Sequence, residues 1–316
     1  MNLLYPITVS KVFFILMLLG STTACYGKSA PVNTRLKEKA FATRQVQTVQ
    51  KGDITGELIH QRRKRTYYLH TPKSYNPNRP MSLVIAFHGH GSQGKNLAFN
   101  TGFSELAERK GFIIVYPDGI DRRWNTARNT LLGVNDVSFV KSLIDNITQI
   151  RAIDKRKIYA VGVSNGGFLV QRLACEPNIK IAAFASVVAT LPGELKSSCD
   201  RTAPTSMLMI NGTLDRKVPW SGGRFPGGSF LSVPDTINFW RQHNSCTPKV
   251  AKQILNKRVD ITRYPNCQGD AELELVTLKD AGHVWPRGGS GSGELLNGSQ
   301  EIWDFFQRHQ LPNGKK

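Results

Sequence analysis

Short, nearly unbroken apolar runs alternate along this chain with segments whose apolar residues recur every three to four positions. SLVIAF at 82–87, GFIIVY at 111–116, KIYAV at 157–161, IAAFASVV at 181–188 and SMLMIN at 206–211 are bounded by Gly, Pro, Asn and charged residues. Runs of that length and bounding read as strands buried on both faces. TYYLH at 66–70 reads as a further strand, stopped by Thr71-Pro72. Helical spacing predicts helices over 103–110, over 134–150 (VNDVSFVKSLIDNITQI) and over 168–174 (FLVQRLA). ELELVTL at 272–278 alternates polar and apolar residues, which predicts an edge strand. Strands alternating with helices over such distances predict an α/β architecture, a mostly parallel central sheet with crossover helices on both faces.

The pattern is different at the N-terminus. Lys11 precedes VFFILMLL at 12–19, then the small residues GSTTA at 20–24 and Cys25. This apolar run is too short to span a membrane comfortably and has the order of a secretory signal over 1–24. Thr22 and Ala24 suit ordinary cleavage and soluble export, whereas Cys25 after a small residue resembles a bacterial lipoprotein site, so a lipid anchor at Cys25 is the alternative. The expected location is extracellular or periplasmic in either case. Residues 25–51 are polar, rich in Thr and Gln and without periodicity, the pattern of a flexible leader. One catalytic domain is expected over 52–316, a span ample for a single core.

Charge changes the picture only modestly. The chain has 316 residues, a formal net charge of +19 and an isoelectric point near 9.9. Such a balance attracts anionic surfaces. The basic residues are scattered, and the densest run, RRKR at 62–65, has no aromatic and basic recognition module beside it. Nucleic acid is therefore not an expected partner, and a solvated face accounts for the run.

Candidate chemistry centres on GVSNGG at 162–167, between the 157–161 strand and the 168–174 helix. Strand, G-x-S-x-G and helix in that order form a nucleophile elbow, in which Gly162 and Gly166 relieve crowding around a strained Ser164. The following helix directs its N–H groups at the serine, so Asn165 N–H is a candidate oxyanion donor. HGHGS at 88–92 follows another buried strand, and His90 or Gly91 is the second candidate donor. Asp215 in GTLDRKVPW, after the 206–211 strand, is the candidate acid, and His283 in DAGHVWP, after the last strand, is the candidate base. Their order, Ser164, Asp215, His283, is that of α/β-hydrolase triads. Asp280 is a rival acid, but it lies only three residues from His283. Trp124, Asn125, Trp220 and Trp285 are candidate substrate-binding residues on loops at the same edge. Neither a metal nor a cofactor is expected, because His88 and His90 have no cysteine or carboxylate cluster at zinc spacing.

HGHG at 88–91, YPDG at 116–119, WN at 124–125, GVSNGG at 162–167, NGTLDRKVPW at 211–220 and GHVWP at 282–286 together resemble the secreted poly(3-hydroxybutyrate) depolymerase-like esterases. That family includes LpqC-type proteins and is similar to carbohydrate-esterase family 1 feruloyl esterases. The resemblance implies the α/β-hydrolase fold and metal-free hydrolysis of a carboxylic ester through Ser164, Asp215 and His283. Feruloyl, acetyl-sugar and short 3-hydroxybutyrate esters all suit such a site. Beyond Cys25 the four cysteines allow three connectivities; the family pattern implies Cys175 with Cys199 and Cys246 with Cys267. Two readings of other classes stay open, a serine peptidase on the same fold and a non-catalytic basic surface-binding protein.

Overall fold

The computed structural model describes residues 51–126, 133–200, 203–225, 228–288 and 296–313. The expected export signal, Cys25 and the leader, Lys51 aside, lie outside the described residues. In chain order the elements are β1 (Gly52–His60), β2 (Arg63–Thr71), β3 (Met81–Phe87), α1 (Gly94–Thr101), α2 (Phe103–Lys110), β4 (Ile113–Pro117), α3 (Asp136–Ile150), β5 (Ile153–Val163) and α4 (Asn165–Ala174). There follow β6 (Ala183–Val187), β7 (Ser206–Gly212), β8 (Gly223–Phe225), β9 (Gly228–Phe230), α5 (Val233–His243), β10 (Ala251–Asn256), β11 (Val259–Tyr264), β12 (Leu273–Leu278) and α6 (Gly298–Phe306).

Ten of the strands form one sheet in the order β1-β2-β4-β3-β5-β6-β7-β12-β11-β10. The six central strands, β4 to β12, are parallel, and an antiparallel hairpin closes each side. Each apolar run of the sequence has become a central strand because helices cover both faces of it. Leu83, Ile85 and Phe87 of β3 pack on one side with residues of α3, α4 and α5, while Val84 and Ala86 pack on the other with α1, α2 and α6. Successive side chains of one strand thus supply both cores, the period-two rule of a pleated strand.

One expectation changes. β12 is not an edge strand: it lies between β7 and β11, and Glu274, which made the pattern alternate, is buried at 1% exposure against Arg263. A charged partner on the neighbouring strand lets a carboxylate occupy an interior position that periodicity assigns to solvent. The stretch after Trp220, which no apolar run marks as strand, forms the small β8–β9 hairpin. Disulfides join Cys175 to Cys199 and Cys246 to Cys267.

Candidate active site

Because the central strands are parallel, the loops after β3, β4, β5, β7 and β12 emerge at one edge of the sheet, where α/β folds place their ligands. β5 ends at Val163, and Ser164 turns with φ 54° and ψ −119°, a left-handed conformation that a serine adopts only under constraint. Ser164 N–H donates to Val187 O at 2.9 Å, and Ser164 O accepts from Phe168 N–H at 2.9 Å, so strand and helix hold the turn from either side. A Cβ on Gly162 would stand 2.2 Å from Gly166 O, and one on Gly166 would stand 2.2 Å from Phe87 O. No side chain fits at either position.

Asp215 follows β7 and is buried at 5% exposure. Its Oδ1 accepts from the N–H groups of Lys217 (2.8 Å) and Val218 (2.9 Å), and its Oδ2 accepts from His283 Nδ1 at 2.7 Å. Hydrogen bonds to an ionised acceptor are the strong ones, and three of them fix this carboxylate. With its Nδ1–H committed to Asp215, His283 keeps Nε2 as the nitrogen that can take a proton. The two loops are locked together as well, since Leu214 N–H donates to Ala281 O at 2.9 Å and a Cβ on Gly212 would stand 2.4 Å from the same carbonyl. The rival Asp280 is exposed and makes no hydrogen bond to His283. Among the described residues no hydrogen bond joins the Ser164 hydroxyl to His283; in ligand-free sites such bonds are often long and tighten when substrate binds.

The two oxyanion candidates of the β3 loop separate. Gly91 N–H donates to Arg122 O at 2.8 Å and is not available to a substrate, whereas His90 N–H has no protein acceptor among the described residues. Asn165 N–H, in the first turn of α4, is also uncommitted, because a helix leaves its first donors without intrahelical partners.

Trp124 is buried and Asn125 partly buried, each engaged by hydrogen bonds. Trp124 is 3% exposed, with its ring 5.3 Å from Phe87 and 4.9 Å from His88 and its Nε1–H donated to His88 O at 2.9 Å. Its backbone N–H donates to Asn165 Oδ1 at 2.6 Å, and Asn165 Nδ2–H donates to Trp124 O at 3.2 Å. Asn125 gives its side-chain N–H to Val134 O (2.8 Å) and its backbone N–H to Asp136 Oδ2 (2.7 Å). Both residues serve the frame because the loop after β4 folds inward under the serine turn. Trp220 and Trp285 remain half-buried on the loops that carry Asp215 and His283. The Trp285 ring meets Phe103 edge-on at 5.8 Å, and its Nε1 is buried without a partner among the described residues.

Sequence reasoning missed three groups. His88, with no exposed surface, accepts from Gly119 N–H at Nε2 (3.0 Å), and its Nδ1–H reaches Gly89 O (2.8 Å). Burial pushes its pKa below the ordinary histidine value, which preserves the neutral tautomer these two bonds require. Asp118 accepts from Gly94 N–H and from the Thr66 hydroxyl. Arg65 pairs with Asp136 at 2.8 Å with both side chains buried, and stacks 3.6 Å from the centre of the Phe139 ring. HGHG, YPDG, WN and SNG are therefore partners in one network. Their letters are visible in the sequence, but spacing does not reveal which loop contacts which. Among the described residues no three His, Cys, Asp or Glu side chains converge as a metal site.

The sequence profile of the family described as Esterase PHB depolymerase matches residues 65–205. Feruloyl esterase B of Piromyces equi is 25% identical over 252 residues, which cover 76% of this chain; the chain spans only 44% of that protein. Feruloyl esterase C of Emericella nidulans is 26% identical over 254 residues, 78% of this chain and 86% of the relative. Among solved structures, an acetyl xylan esterase from Aspergillus awamori superimposes with a TM-score of 0.58 at 14% identity over 80% of this chain and 99% of its own. A variant of the feruloyl esterase module from Clostridium thermocellum, complexed with sinapinate, gives a TM-score of 0.52 at 11% identity over 74% of this chain and 82% of that one. These two likenesses establish the α/β-hydrolase fold, and the sequence matches make the chain similar to esterases, residues 65–205 to the family described as Esterase PHB depolymerase and most of the chain to feruloyl esterases.

Proposed function

We propose that the chain is an exported serine esterase that cleaves carboxylic esters through an acyl-enzyme. The observation that carries this reading is the 2.7 Å bond from His283 Nδ1 to a buried Asp215, on loops at the same sheet edge as the strained Ser164 turn. Ser164 Oγ attacks the ester carbonyl while His283 Nε2 takes its proton; Asp215 orients the imidazole and stabilises its charged form. The oxyanion of the tetrahedral intermediate is received by Asn165 N–H and His90 N–H, and one such donor contributes about 2.7–4 kcal/mol to the transition state. His283 then protonates the leaving alcohol, and water releases the acid by the reverse sequence.

The relatives named as feruloyl esterases favour feruloyl esters, with acetyl-sugar and short 3-hydroxybutyrate esters as the other candidate classes. Two disulfides fit an oxidising compartment and support export. The test is hydrolysis of p-nitrophenyl acetate, p-nitrophenyl butyrate, methyl ferulate and a soluble 3-hydroxybutyrate oligomer by wild type and by Ser164→Ala. Turnover by wild type with a loss of at least about 10³-fold in Ser164→Ala, at unchanged circular dichroism, is the expected result. Equal residual rates in the two proteins would sink the assignment.

A further inference from the structure

The loops around Ser164 carry a set of cations that cleavage of a neutral ester does not need. Arg122 lies beside the oxyanion loop, since its own carbonyl holds Gly91 N–H. Arg216 and Lys217 follow Asp215 directly. Arg224 sits on β8 next to Phe225, whose ring packs 5.6 Å from Phe168, one turn into the helix that starts at the serine. Arg287 follows His283 by four residues and donates to Asn100 Oδ1 on α1. All five are exposed, and among the described residues none has a carboxylate partner. Against them, the described parts of these loops expose only Asp121, near Arg123, and Asp280. Asp136 and Asp215 are buried and already engaged by hydrogen bonds. The loop after β6 departs from the pattern, with Glu194 and Asp200 beside Lys196.

We propose that the ester cleaved here is carried on an acidic glycan, whose uronate carboxylates on either side of the acylated sugar meet Arg122, Arg216, Lys217 and Arg224. The proposal rests on the esterase reading above and names its substrate class. These cations lie on the loops and the hairpin that border the Ser164 turn, at the sheet edge where the triad loops emerge, so the charge they meet belongs to the molecule being cut. A glycan supplies both the hydroxyl that bears the ester and a carboxylate on the neighbouring sugar, and guanidinium groups match carboxylates in a two-pronged fashion. Like charges converging on a cleft also concentrate an anionic substrate there.

The experiment compares acetate release from two soluble oligosaccharide pools of matched length and acetylation, one of neutral xylose units and one of galacturonate units. At low salt the acidic pool is expected to give a kcat/KM about ten-fold or more above the neutral pool, and near 1 M NaCl, where screening acts within about 3 Å, the two should converge. Arg216→Gln with Arg224→Gln should lower the acidic-to-neutral ratio. Lys155→Gln with Lys180→Gln, an equal loss of charge at the opposite edge of the sheet, should leave the ratio in place. Equal rates on both pools at every salt concentration, with p-nitrophenyl acetate still hydrolysed, would overturn the proposal and leave the esterase standing. If p-nitrophenyl acetate is also untouched, the esterase reading itself fails. Equal effects of the two double variants would reduce the preference to net charge and overturn it too. The same holds if a short single-stranded DNA inhibits as strongly as deacetylated oligogalacturonate, because the rim would then trap any polyanion.

Discussion

Asn165 shows how much one side chain next to the proposed nucleophile can organise. In the proposed mechanism its backbone N–H receives the oxyanion, and its amide clamps both backbone groups of Trp124. Trp124 in turn holds the carbonyl of His88, two residues before His90. Asn165→Ala keeps the N–H but frees the Trp124 loop. Because misplacing a catalytic donor by about 1 Å costs up to about 10²-fold, kcat for p-nitrophenyl acetate is expected to fall by about 10- to 100-fold, with a smaller change in KM. An unchanged kcat would show that the clamp does not position the donors. Gly162→Ala is a harsher change, since its methyl group meets Gly166 O at 2.2 Å. A cost of more than about 3 kcal/mol is expected, read as a lower denaturant midpoint or as failure to express folded protein. The glycines and the serine of this turn were legible because strand, motif and helix follow one another in the chain. The clamp was not, because Trp124 and Asn165 are 41 residues apart, and a tryptophan near a cleft reads equally as wall or as frame.

At the scale of elements, β12 and α6 share a charged patch away from the catalytic edge. Glu274 is held by Arg263 at 2.8 Å, and Glu301 of α6 lies against Glu274. Burial first, and the neighbouring Glu274 carboxylate second, push the Glu301 carboxyl up to about 7. A carboxyl raised in the folded state adds stability that is complete below its ordinary value and is lost as pH rises through about 7. The melting temperature of wild type is therefore expected to drop by a few degrees between about pH 5 and pH 8, and that of Glu301→Gln to drop less. Parallel pH profiles of Tm would refute the assignment. The bridge from the end of α4 at Cys175 to Cys199 gives a second test, with Cys175→Ser/Cys199→Ser expected to cost about 2–4 kcal/mol in chemical denaturation. Sequence reading placed β12 within a residue but put it at the sheet edge. The β10–β11 hairpin that covers it escaped notice: all six residues of β10 are exposed, and AKQILN has neither the alternation nor the unbroken apolar run by which a strand is detected.

For the whole molecule, the order of strands does what no local motif can. Ser164, Asp215 and His283 come from three separate crossover units, and parallel pairing brings all three loops to one edge. That much followed from alternating strands and helices together with the chain order of the three residues. The distribution of charge did not, because a net charge of +19 says nothing about where cations lie relative to carboxylates. The sheet itself carries one more consequence. Among the described residues it does not close on itself, and at β10 it ends in an edge without a further strand, which carries Ile254 (67% exposed) and Leu255 (46% exposed). An open, partly apolar edge is a template for another chain, and Lys252 and Lys257 beside it are the charges that discourage such pairing. Heated samples are thus expected to aggregate first through this strand. Ile254→Lys should delay the onset of light scattering while leaving the melting temperature almost unchanged, and an onset that tracks melting alone would place the first contacts elsewhere. The fold that gathers a catalytic edge at one end of its strands thereby leaves, along its last strand, the surface by which the protein would be lost from solution.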